Sequence, residues 1–488
     1  VNVARCVLAA TLLGALGAGG LAAAPDAVTI APLPAPSGDE KKDRADAVAR
    51  TKKEIEDVAK AHGGWDAWYD SLKGFREDLP RRMTGKWPWP AKSNFAFYGQ
   101  SCQLLLMGGW DKQPAGADPL ASIVSLDRQL KARGIDLIFM PIPDKISIYP
   151  DYLSDKAPAD RMVFVQSLQL LHRLCEADVE VVDLFPIYHK FRDEHPGRPL
   201  HYVRDGHWRN IGAQIAGREI AARLRRYGFV GKALAAGNPY QAVKGRRTDG
   251  MKADDLLRVL PKSGGLYKDA DDSPVVLTGD SFSMYGMGAN SANLSAQVAL
   301  HIAMPLTYVC REGLAVDMPV ELARRGEAFL KGRRVIVWTV RGRCLSEGGW
   351  CTVDLSGKRK SPQPLVTDAT ATCVVADVSA PPRRDAPYVH YVIQVQVKDL
   401  ADGRKRPIGD GQGVLHILAM RDRKLLPAAT VKKGDTLEVK LTTWASLEGK
   451  YGKINTAEIS DVELAAGLAH YWAELPGQGP APTVEAVK

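Results

Sequence analysis

Two short stretches hold residue types that could do chemistry together. In Gly279-Asp280-Ser281-Phe282-Ser283, a motif directly after the apolar run 275–278, a serine stands at the third position. A serine at the carboxyl end of a strand, entering a turn or helix, exposes its hydroxyl, and backbone N–H groups there can face a developing oxyanion. Gly279 would permit the sharp turn. In Asp205-Gly206-His207-Trp208 a carboxylate and an imidazole stand two apart, just before a helical pattern that begins near Asn210. Such a pair cannot share a helix face, but on an extended loop both side chains can point the same way. The carboxylate then holds the imidazole tautomer while His207 takes the serine proton as general base. Taken singly, one motif also reads as a loop serine and the other as a capped helix start with a structural histidine. Ser281, His207 and Asp205 together are the parts of a nucleophilic triad.

The elements that must position these groups are legible from periodicity. Leu120, Ile123, Leu126 and Leu130 repeat at helical spacing and stop at Arg133-Gly134. The run 135–142 suits a buried parallel strand. A helix is expected over about 160–176, a strand over 179–184, and a helix over about 210–226 with Ile211, Ile215, Ile220 and Leu224 inward. The runs 275–278 and 335–340 are further strand candidates, and 306–309 is strand-like. Alternating strands and helices predict a three-layer α/β domain with a mostly parallel sheet, whose functional loops gather at the carboxyl ends of the strands. After about residue 352 the pattern changes to short β runs, at 374–378, 388–397, 414–420, 436–443 and 456–462, which predict a C-terminal β-rich sandwich or barrel domain. Upstream, 45–61 reads as an exposed helix with Val48, Ile55 and Val58 on a narrow apolar edge. Trp65, Trp68, Tyr69 and Leu72 read as a packed helix face, with a sugar-binding surface as the alternative.

The 488 residues exceed one typical core, and 45% hydrophobic with 25% charged is ordinary globular composition. A formal charge of +9, from 65 basic and 56 acidic residues, favours an acidic partner such as a uronate polymer, an anionic membrane surface or nucleic acid. No zinc-finger spacing, aromatic–glycine RNA motif or lysine-rich arm is present, which argues against nucleic acid. Arg5, the apolar run from Cys6 to Ala24 and the small residues before Pro25 form a secretory signal pattern, or an uncleaved membrane anchor. Cys102, Cys175, Cys310, Cys344, Cys351 and Cys373 are then an even set permitting disulfides, with Cys344 and Cys351 close enough to close a small loop. None has metal-ligand spacing, so no metal and no cofactor are expected. The expected domains are 1–27 signal peptide, 28–92 linker and N-terminal helical segment, 93–352 catalytic domain, 353–475 β-rich domain and 476–488 disordered tail. Trp444, Arg421, Arg423 and Lys424 would be the contacts if the β-rich domain binds carbohydrate.

Over about residues 95–345 the chain resembles the SGNH hydrolase superfamily and, within it, the periplasmic alginate O-acetyltransferase family. Arg133-Gly134-Ile135-Asp136-Leu137 through Pro141-Ile142-Pro143-Asp144-Lys145 and Tyr149-Pro150 looks like that family's early strand and loop. Arg204-Asp205-Gly206-His207-Trp208 is similar to its D-x-H-W motif, Gly279-Asp280-Ser281-Phe282-Ser283 to its nucleophile block, and 331–338 to its last core strand. The Asp/His pair precedes the serine, as in the circularly permuted acetyltransferase branch and unlike ordinary GDS-type esterases. Gly206 stands where the family often has threonine. The resemblance implies an exported O-acetyltransferase that makes an acetyl-serine at Ser281 and passes the acetyl to an anionic polysaccharide. It also implies a membrane partner as acetyl donor. An acetyl esterase with the same triad and a non-catalytic polysaccharide-binding scaffold are the competing readings. Gly279, Tyr285 and Arg311 are the further candidates for oxyanion or substrate contacts. Asn290 and Asn293, nearby, read as solvated loop polarity.

Overall fold

The computed structural model describes residues 36–82, 89–90, 95–106, 119–245, 256–310, 316, 318–345, 350, 352–355, 366–382, 388–409, 411–452, 454–457, 459 and 468–478. The expected signal segment 1–27, Arg311 and Cys351 lie outside the described residues.

Five strands form one parallel sheet: β1 (Asp136–Ile142), β2 (Glu180–Val181), β3 (Val275–Gly279), β4 (Thr307–Cys310) and β5 (Val335–Arg341), in the spatial order β2-β1-β5-β3-β4. Their near-continuous apolar runs follow from burial on both faces: Leu137, Ile138, Phe139, Val276, Leu277, Ile336 and Val337 are all inaccessible. Helices α1 (Glu40–Ala61), α2 (Pro119–Lys131) and α3 (Val165–Glu176) pack as one group, α4 (Asn210–Leu224) and α5 (Leu294–Ile302) as another. Helix α1 starts at Asp39, whose carboxylate caps the N–H groups of Lys41 and Lys42. It buries Val48, Thr51, Ile55 and Ala59, residues spaced three and four apart, and packs against α3 rather than standing exposed. Trp68 and Leu72 are likewise buried, as a packed face requires.

The amino ends of β1 and β2 are closed by a polar clamp. Arg226, just beyond α4, makes two bonds of 2.7 and 2.6 Å to the carboxylate of buried Glu180. Tyr227 donates to Asp136 at 2.5 Å. Arg44 of α1 binds Asp178 at 3.0 Å. Periodicity did not foretell the hairpin of Tyr240–Gly245 with Leu256–Pro261, whose outer strand is mostly exposed and carries little hydrophobic signal.

Downstream, β6 (Ala369–Val378), β7 (Tyr391–Asp402), β8 (Gly413–Arg421), β9 (Thr436–Thr443) and β10 (His470–Glu474) close on themselves in the order β6-β7-β8-β10-β9-β6. Only β8 and β10 run parallel among these neighbours. That connectivity is the five-stranded Greek-key barrel of the OB type. Alternation sends Ile393, Leu415, Ile417, Val439, Leu441 and Tyr471 inward. The opposite set, Val392, Leu418 and Trp472, is covered by Trp444, Tyr451 and Ile454 from the segment between β9 and β10. Trp444, a candidate polymer contact by sequence, is therefore core: it is 3% exposed and stacks on His416 with ring centres 4.1 Å apart. Arg423 and Lys424 remain exposed at the turn after β8.

Candidate active site

Strands β1, β3 and β5 bring the loops that follow them to one end of the sheet. Beyond β3, Asp280 ends the extended backbone and caps a short helical turn, Ser281–Met284, accepting from the N–H of Phe282 at 3.0 Å. Ser281 is the first residue of that turn. Asp280 is itself fully buried, with Arg341 at the end of β5 3.1 Å from its other oxygen. The cap and the ion pair together fix the turn that presents the serine.

Gly279 does not take a positive φ, so the glycine is not needed for turn geometry. It is needed for closeness. A Cβ there would lie 2.0 Å from Thr339 Oγ1 and 2.9 Å from Ser283 Oγ, so β3 and β5 could not approach as they do. This replaces the expected role in turning the chain, and the buried position in the strand serves packing.

The loop before α4 carries the other two groups. Asp205 Oδ1 accepts both the backbone N–H of His207 and its Nδ1–H, each at 2.7 Å. The pair thus meets in a tight Asp-centred turn rather than on extended backbone. With Nδ1 donating, Nε2 is the acceptor, and it lies 3.0 Å from Ser281 Oγ. Burial acts to raise the Asp205 pKa, but the bonds and charge of His207, helped by Lys145, outweigh it and hold it down at about 2. Trp208 is fully buried, and its indole N–H donates to the carbonyl of Phe282 at 2.8 Å, which ties the two loops together. The Tyr285 ring stacks on the imidazole with centres 4.8 Å apart and planes 15° apart. Phe282 packs at 4.8 Å from the same imidazole.

Asn290 and Asn293 are buried, at 7% and 3% exposure, in the turn leading into α5; they are not solvated loop residues. The Cys344 sulfur accepts from Arg341 Nε at 3.0 Å, and Cys102, Cys175 and Cys373 are free and buried. Among the described residues no three His, Cys, Asp or Glu side chains gather to hold a metal ion. Sequence reasoning gave no role to Arg341 or Lys145. Lys145 had one local signal, a lysine placed three residues after the buried strand run.

Residues 109–261 match the family model described as the SGNH hydrolase-like domain of the acetyltransferase AlgX. The chain carries an SGNH hydrolase-like acetyltransferase domain. The match contains Asp205 and His207 and ends before Ser281. Among solved structures the chain is similar to the O-acetyltransferase domain of Pseudomonas putida AlgJ, at 20% identity over 55% of this chain and 93% of that one, with a TM-score of 0.37. It is similar to Pseudomonas aeruginosa AlgX at 14% identity, covering 66% of this chain and 84% of that one, with a TM-score of 0.41. It is also similar to Bacillus cereus PatB1 at 13% identity, covering 51% and 93%, with a TM-score of 0.32. No curated protein matches the chain.

Proposed function

We propose that this protein is a polysaccharide O-acetyltransferase that works through an acetyl-serine at Ser281. The observation that carries the reading is the continuous chain from Asp205 through His207 to Ser281, with bonds of 2.7 and 3.0 Å. His207 Nε2 takes the hydroxyl proton as Ser281 Oγ attacks the carbonyl carbon of an acetyl donor. Asp205 keeps the imidazole oriented and stabilises the imidazolium that forms. The Ser281 N–H, with neighbouring backbone donors, receives the oxyanion. Collapse returns the proton to the leaving group and leaves acetyl on Oγ. In the second half a sugar hydroxyl gives its proton to His207, attacks the acetyl carbon and departs as the ester, with Oγ reprotonated. Transfer rather than hydrolysis requires the sugar hydroxyl to be held where water would otherwise attack.

The acceptor in this reading is an anionic, alginate-like polymer, matching the chain's formal charge of +9, with Tyr285 and Arg311 as substrate contacts. The donor is a membrane partner relaying acetyl groups outward, and the protein works in the periplasm. Among the described residues no helix is long and apolar enough to cross a membrane. The catalytic unit is taken as 93–352 and the β-rich unit as 353–475.

The test uses purified protein, 4-nitrophenyl acetate as donor and mannuronate oligosaccharides as acceptor, with Ser281→Ala alongside. The expected result is acetylated sugar by mass spectrometry and a loss on the order of 10³-fold or more in the variant. Ser281-dependent release with no acetyl on sugar would make the protein an esterase. Release unaffected by the substitution would remove the triad from the mechanism.

A further inference from the structure

Lys145 opens the short helix Lys145–Ile148 beyond β1, and only 3% of it is exposed. Among the described residues its ammonium reaches no carboxylate oxygen; it is spent on backbone carbonyls. Nζ donates to Ala96 O at 2.8 Å, to Asp205 O at 2.5 Å and to Tyr202 O, with Val203 O farther off at 3.3 Å. Three N–H donors thus meet four acceptors. All but one of those acceptors belong to the loop that carries Asp205 and His207, a stretch with no helix or strand of its own.

Other bonds hold the two ends of that loop, among them the Trp208 indole N–H to Phe282 O at 2.8 Å and His201 Nε2 with Pro143 O at 3.1 Å. The N–H of Tyr202 donates to His207 O at 3.1 Å, and the N–H of Ala96 donates to Val203 O at 2.7 Å. Neither bond touches the backbone of Asp205. Lys145 does, and so links the residue that orients the imidazole to the rigid end of a central strand. A burial this complete is costly for an ammonium unless its donors are used. Burial pushes the Lys145 ammonium down to about 7, against the opposing pull of the Asp205 charge.

We propose that Lys145 is a positioning residue for the proposed triad, pinning the 202–205 loop through its carbonyls so that Asp205 holds His207 in line with Ser281. The inference rests on the triad reading above. It acts through another residue: Lys145 touches Asp205, Asp205 touches His207, and only His207 meets the nucleophile. A displacement of the imidazole by about 1 Å can cost about 10²-fold in rate.

The experiment compares wild type, Lys145→Met and Ser281→Ala in the full chain. Methionine keeps the stem and removes the three N–H groups and the charge. The readouts are the second-order rate of Ser281 sulfonylation by phenylmethylsulfonyl fluoride, the downfield proton resonance of His207 Nδ1–H, and the thermal midpoint. Labelling slowed by about 30- to 100-fold, with the resonance lost and the midpoint nearly unchanged, supports the role. Steady-state kinetics of K145M should then show the loss in kcat with KM kept. Labelling at the wild-type rate with the resonance intact overturns it while leaving the triad standing. Failure of wild type itself to label at Ser281 sinks the triad reading and this inference with it. Should Lys145→Met not fold, Lys145→Gln, which retains two neutral donors, carries the same measurements. Loss of the fold in both assigns Lys145 to folding alone and overturns the positioning role.

Discussion

At Gly279 the tolerance is a single carbon atom. A Cβ would stand 2.0 Å from Thr339 Oγ1 and 3.0 Å from the Thr339 carbonyl. Overpacking of this kind in a buried strand costs roughly 1–3 kcal/mol. Gly279→Ala should lower the urea midpoint accordingly, and adding Thr339→Ala should recover only part, because the backbone carbonyl stays. Ser281 sits two residues away, so acetyl-donor turnover should fall in the single variant and partly return in the double. The sequence displayed the glycine but not its reason, which belongs to the strand that packs beside it. Asp205 and His207 were legible as a pair because their bond is local in the chain. Their approach to Ser281 is not local, and no spacing rule predicts it.

Element by element, legibility followed the hydrophobic pattern. Strands β1, β3 and β5 announced themselves as apolar runs, since burial on both faces leaves no room for polar alternation. Strand β10 did not. His470–Glu474 is five residues long and ends against Pro476, yet it closes the barrel between β8 and β9. Trp444 shows the same limit from the other side. An aromatic residue reads equally as a ligand platform or as core, and the covering segment decides for core. Trp444→Ala should therefore destabilise the β-rich unit by about 3–5 kcal/mol in guanidinium titrations. Its effect on polymer binding should follow only from that loss. A stable variant with weakened polymer affinity would contradict this.

For the whole molecule, acid stability is set by groups whose ionisation folding has shifted. Burial first of all lowers His189 to about 4, His201 to about 3 and His301 to about 4. Each is protonated in the unfolded chain below about 6.5 and stays neutral in the folded one until its lowered pKa is reached. Between those limits the unfolded state holds more protons, so stability rises with pH. Asp183 acts in the opposite sense: burial raises it to about 7, so the folded state retains a proton that the unfolded chain has lost. Burial likewise raises Asp127, Glu219 and Asp269, which act in the same sense as Asp183, so the histidine contribution is read one site at a time. Between about pH 4 and 6.5, His189→Gln should reduce the slope of stability against pH by about one proton relative to wild type. An unchanged slope in the variant would refute the assignment of His189 as neutral in the fold.

By itself the sequence determined the neighbouring Asp205 and His207, the serine at a strand end, the alternation of strand and helix, and the change to a β-rich region. All of these depend on residue type and on neighbours a few positions away. Tertiary structure decided which side chain presses on Gly279, that Trp444 is core, that β10 closes the barrel, and that Lys145 spends its hydrogens on the loop of Asp205 and His207. These are contacts between elements far apart in the chain. Their physics lies in close packing and in the need of every buried donor for an acceptor, and neither leaves a periodic trace in the order of residues.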